Sequence, residues 1–167
     1  NASSGADEKE GVEVTKLMMD LIEEYLLSLA PPKRLVTSSP KILEGKEDFY
    51  DFKCHSCHHP KYVTRADYPK SELRFQLIWP YSDFLLHDMG EGLSDVNGTS
   101  EWRTPPLWGL SYAKIVNPSA LFLHDGRART IEEAILWHDG EAKISRQLFI
   151  SASSNSRKAL IEFINSL

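Results

Sequence analysis

Both cysteines of this 167-residue chain fall in one pentapeptide, Cys54-His55-Ser56-Cys57-His58, and a further histidine, His59, follows at once. That concentration restricts the fold more than any other feature, because whatever the motif holds must be surrounded by the rest of the chain. A disulfide between Cys54 and Cys57 would close a very short loop and stabilise little. The βαβ pattern that accompanies a redox Cys-x-x-Cys is also missing. A structural zinc site needs a fourth ligand, usually from a second tightly spaced pair, and His87, His124 and His138 stand singly. Cys-x-x-Cys-His is the attachment signature of c-type haem. Two cysteines three apart share one face of a helical turn, so both sulfurs can reach the vinyl groups of one porphyrin. The next residue then turns its imidazole towards the iron. Cys54 and Cys57 are thus expected to be thioether anchors of one covalent haem c, and His58 the proximal ligand. His55 becomes a free spacer and His59 a surface neighbour.

The far side of the iron has several candidates: Met89 beside Gly90, His87 two residues earlier, His124 at the end of an apolar run, and His138. Ile131, Ala134, Ile135 and His138 follow the i, i+3, i+4, i+7 rule, which places His138 on the inward stripe of a helix. A lone histidine there is ordinarily a hydrogen-bonded core residue. A haem to coordinate shifts the balance, so His138 is the first choice and Met89 the alternative distal ligand.

Residues 1–12 are small, polar and charged and read as a flexible N-terminal segment. A helix is expected next, with Val14, Leu17, Met18, Leu21, Ile22, Tyr25, Leu26 and Leu29 on one face and Pro31-Pro32 as its stop. Ser39-Pro40 opens a second helix, serine as cap and proline at the first turn, which delivers the chain to Cys54. From 60 to 120 prolines and glycines recur, no helical period persists, and Trp79, Trp102 and Trp108 occur. A long irregular stretch of this kind is usually functional or wrapped around something. Two helices are expected to close the chain. Thr130 and Glu133 form a capping box for one, Gly140 ends it, and Leu160, Phe163, Ile164 and Leu167 make the stripe of the other. The fold class expected is mostly α: a cytochrome c-like helical domain, residues 13–167, wrapped around one haem, with a long irregular loop.

The net charge of −5 and the lack of a basic stripe argue against nucleic acid as a partner. No apolar run reaches the length of a membrane span. Opening on Asn1 rather than methionine, the sequence reads as a processed or excised chain. Arg103, Arg127 and Arg129 are candidates to pair with haem propionates, since a guanidinium meets a carboxylate through two hydrogen bonds; ordinary surface arginine is the competing reading. Trp79, Tyr81, Trp108 and Trp137 are candidates to pack on the porphyrin, with core packing the commoner job.

Four stretches, YSDFLLHDMGEGLSD, EWRTPPLWGL, FLHDGRARTIEEAILWHDGEA and RKALIEFINSL, together resemble the C-terminal haem domain of the di-haem oxidoreductase family. Its members are also labelled thiol oxidoreductases and are related to the bacterial di-haem cytochrome c peroxidases. The resemblance runs from about Tyr25 to Leu167. In the peroxidases the segment similar to FLHDGRARTIEEAILWH carries a methionine as distal ligand of the electron-transfer haem; here the matching position is His138, a departure that implies a lower potential. Asp125 and Gly126 resemble parts of a tight turn ahead of the distal helix. Family members carry a second Cys-x-x-Cys-His in an N-terminal domain, and in the peroxidases that haem does the chemistry. The resemblance therefore implies the electron-delivering half of a di-haem oxidoreductase or peroxidase-like system, with a redox partner protein or second haem domain. An enzyme in its own right, with an open distal site, is the alternative. A periplasmic or extracellular location is implied as well.

Overall fold

In the computed structural model, which describes residues 13–34 and 38–167, the chain parts at Pro32 and Lys33 into two units. The expected flexible segment 1–12 lies outside the described residues. The first unit holds helix α1, Lys16–Ser28, capped by Thr15, whose hydroxyl accepts from the amide of Met18 at 3.2 Å. The apolar stripe read from the sequence is present, yet no residue of α1 is buried.

The larger unit is organised by α2, Pro40–Asp51, and α6, Ser154–Asn165. Ser39 caps α2 by accepting from the amide of Ile42, with Pro40 in the first turn as expected. The two helices approach closely at Gly45, where a Cβ would stand 1.9 Å from the carbonyl oxygen of Ala159. That approach brings Phe49 of α2 to Phe163 of α6, with ring centroids 5.4 Å apart. Tyr81 completes the cluster at 5.7 Å from Phe49 and 5.9 Å from Phe163. Ile42, Phe52, Ile131, Phe149, Leu160, Ile164 and Leu167 fill the remaining core. The expected stripe Leu160, Phe163, Ile164 and Leu167 is therefore the buried face of α6 and of its last turn.

Between these helices lie short elements. Strands β1, Tyr62–Val63, and β2, Leu77–Ile78, pair antiparallel, as do β3, Leu86–Asp88, and β4, Glu101–Arg103. The irregular stretch also contains a seven-residue helix, α3, Leu110–Val116, which the sequence pattern did not announce. It opens on Gly109 at φ +82°, and none of its residues is buried, so it writes no apolar period. Three helices, not two, close the chain. Helix α4, Ile131–Trp137, is capped by Thr130, whose hydroxyl accepts from Glu133 at 3.0 Å. Helix α5, Lys143–Ser151, is the added one. The regular structure among the described residues is mostly α-helical with little strand, and no helix among them is long and apolar enough to cross a membrane.

Candidate functional site

Helix α2 ends at Asp51 with Phe52 as its cap, and Lys53 turns the chain with a left-handed backbone, φ +62°. Cys54–Ser56 then form a 3-10 turn, closed by the amide of Cys57 on the carbonyl of Cys54, to which the amide of His58 also donates at 2.9 Å. Residues i and i+3 eclipse in such a turn, so Cys54 and Cys57 share a side. The two are not joined in a disulfide. Burial pushes the Cys54 thiol up to about 12, and the neighbouring Cys57 adds to the shift. Burial also raises Cys57.

The segment after β2 holds this motif from the other side. Tyr81 has a left-handed φ of +54°, a strain of about 1 kcal/mol. Three successive backbone groups thereby meet the motif. The carbonyl of Tyr81 lies 3.0 Å from Nδ1 of His58, the amide of Ser82 donates to His59 at 2.9 Å, and that of Asp83 donates to Cys57 at 2.8 Å. A carbonyl only accepts, so Nδ1 of His58 carries the hydrogen and Nε2 keeps its lone pair.

His138 repeats the arrangement. The apolar period placed it within a helix ended by Gly140; α4 in fact stops at Trp137, and His138 caps it with an extended backbone. Its amide bonds to the carbonyl of Ile135, three residues back, at 3.1 Å. The carbonyl of Ala134, left without its amide, takes Nδ1 of the His138 ring at 2.7 Å. Here too Nε2 is the free nitrogen. Burial holds His138 below the usual histidine range and brings His58 down to about 4, with the charge His138 would carry as the second cause. Both rings are desolvated by surrounding protein while keeping some accessible surface. Each imidazole is thus held neutral by burial, with its Nδ1 on a backbone carbonyl.

This donor set suits a haem iron, which binds neutral imidazole nitrogen. The two cysteines sit in the same turn as one of the two imidazoles, that of His58. His87 serves differently. Its Nε2 is 2.7 Å from Asp83 and its Nδ1 is 2.8 Å from Glu141. Cys57, Asp83 and His87 also present ligand atoms within 4.8 Å of one another; Asp83 and Glu141 were not singled out from the sequence. Met89 follows β3, half-buried, its amide on the carbonyl of Ser100 at 2.9 Å. His124 stacks on Trp102 with centroids 3.3 Å apart and the planes 14° from parallel.

The arginines have partners already. Arg127 bonds Asp125 at 2.6 Å, reaches the carbonyl of Gly92, and lies over the Trp137 ring at 4.9 Å. Arg103 lies over Phe84 at 6.0 Å, and Arg129 pairs with Glu133 at 3.3 Å. Tyr81 is core, Trp108 half-buried, and Trp79 and Trp137 are exposed. Asp125 and Gly126 do form a turn. Gly126 takes φ +71°, the Asp125 carboxylate accepts from the amide of Arg127 at 3.2 Å, and Phe122 bridges to Ala128.

Among curated proteins and solved structures none matches the chain. One protein family does, over residues 1–167, and its description reads "Di-haem oxidoreductase, putative peroxidase". That match spans the whole chain, which therefore belongs to the di-haem oxidoreductase family.

Proposed function

We propose that this chain carries electrons through one covalently bound c-type haem ligated by His58 and His138, serving the electron-delivering role in a di-haem oxidoreductase or peroxidase-like system. The observation that carries the reading is the matched pair of imidazoles. Each gives its Nδ1 hydrogen to a backbone carbonyl, Tyr81 for one and Ala134 for the other, which leaves Nε2 of each largely desolvated ring as the lone-pair nitrogen. Such outer partners fix the tautomer, orient the ring and raise its basicity as a ligand. Cys54 and Cys57 would anchor the macrocycle by thioether bonds. The cofactor, when bound, supplies a one-electron iron couple. With both axial positions filled by the protein, small ligands are excluded, and exchange of electrons is the chemistry that remains. Imidazole in place of a methionine sulfur lowers the potential. The electron partner is a second haem domain or a redox protein, and attachment of the haem puts the chain in the periplasm or outside the cell.

Absorption and EPR spectra of the oxidised and reduced protein, repeated after acid–acetone extraction, test this. Haem retained by the polypeptide with low-spin, bis-histidine signals is the expected result, and His138→Ala should convert it to a high-spin centre that binds carbon monoxide when reduced. A sulfur-to-iron charge-transfer band would transfer the distal role to Met89. A high-spin wild type would make the domain a ligand-binding or catalytic haem protein instead.

A further inference from the structure

The residues from Tyr81 to Asp88 touch both halves of the site. At one end they hold the proximal turn through the Tyr81 carbonyl on His58 and the amides of Ser82 and Asp83 on His59 and Cys57. At the other end they hold the turn that follows His138. Glu141 accepts from the amide of Asp88 at 3.0 Å with one oxygen and meets Nδ1 of His87 at 2.8 Å with the other. His87 passes the contact back to Asp83 at 2.7 Å, whose amide is the one bonded to Cys57. With a carboxylate at each ring nitrogen, His87 donates from both. The backbones are pressed together beside this chain of contacts. A Cβ on Gly140 would lie 2.3 Å from the Asp88 carbonyl oxygen, and one on Gly90 would lie 2.9 Å from Cβ of Asp139.

We propose that Glu141, His87 and Asp83 form a brace that positions the distal ligand His138 relative to the proximal His58, so that Glu141 and His87 govern axial ligation without touching the iron. The proposal rests on the bis-histidine reading. Glu141 is 56% exposed along its side chain, and an exposed ion pair contributes little to stability. What distinguishes this carboxylate is that both oxygens are spent on one strand, three residues after the ligand.

The test uses the haem-loaded protein and the variants Glu141→Ala, Glu141→Gln and His87→Ala, with haem content, far-UV circular dichroism, ferric EPR and carbon monoxide binding by the reduced form. Glu141→Ala and His87→Ala should keep haem and helicity while the fraction open to carbon monoxide rises about 10-fold, the lower end of what losing a partner bonded directly to a ligand costs. Glu141→Gln, which keeps an acceptor for Asp88, should fall between them and wild type. EPR and carbon monoxide binding identical to wild type in both alanine variants would overturn the brace. So would loss of helicity in all three, which would make the contacts merely structural. A wild-type protein without bis-histidine signals would instead defeat the ligation reading, and the brace with it.

Discussion

Gly45→Ala should be among the most damaging single-methyl additions in the protein. The new Cβ would stand 1.9 Å from the Ala159 carbonyl oxygen, 2.3 Å from its carbon and 2.9 Å from the Leu160 nitrogen. Ordinary contact begins near 3.4 Å, so α2 and α6 must part by about 1.5 Å at their crossing. In its favour, alanine is better than glycine in a helix interior by about 1 kcal/mol. Against it, overpacking costs about 1–3 kcal/mol where side chains can yield, and here every colliding atom is backbone. A radial gap of about 0.5–1 Å also forfeits a quarter to a half of each dispersion contact it opens, and the Phe49–Phe163 contact lies along this seam. The net loss is about 3 kcal/mol. With a urea m-value of about 2 kcal/mol per M, the unfolding midpoint of the haem-loaded protein should fall by about 1.5 M. Ala159→Gly should not rescue it, since the side chain of Ala159 is not what collides. Gly98→Ala is the contrast: φ there is +81° with nothing within 4 Å, so it costs only the backbone strain of about 1 kcal/mol. A Gly45→Ala midpoint equal to or above that of wild type would refute the packing argument.

Two further outcomes are expected besides those of His138→Ala and the brace variants. The pKa of His87 is held above 6.5, chiefly by its hydrogen bond to Glu141 and also by Asp83, with burial opposing. Because the folded value exceeds the unfolded one, its stabilisation is complete below about pH 6.5 and drains as pH rises through the folded pKa. The urea-midpoint difference between wild type and His87→Gln should therefore be constant at low pH and shrink above it; a difference that grew with pH would contradict the pairing. Cys54→Ala with Cys57→Ala should yield a poorly folded, haem-free polypeptide, and a compact double variant of native helicity would show that the fold does not depend on the cofactor.

The elements legible beforehand were those whose signals are local. Ser39-Pro40 announces α2, Thr130 with Glu133 announces α4, and the four apolar residues from Leu160 to Leu167 announce α6. Helix α5 was hidden because its buried face is narrow: Phe149 is buried while Ile144 and Ile150 on the same helix are exposed. The spacing of apolar residues also announced α1, none of whose residues is buried. His138 was picked out for a helical position it does not occupy; the ring is aimed by the released carbonyl of Ala134, a consequence of where the helix stops. The pairing of His87 with Glu141 spans 54 residues, and no local pattern encodes a contact of that separation.

The segment from Tyr81 to Asp88 also acts as a ruler. Its ends are fastened to different turns, so the number of residues between them is itself a dimension of the molecule. Adding or removing one residue there would reverse the side on which His87 projects and break the attachment at one end. The turn at Asp95–Thr99, closed only on its own carboxylate and backbone, has room to change length. Among natural variants of this chain, insertions and deletions should therefore gather in that turn and avoid the ruler, even where the individual residues of the ruler differ.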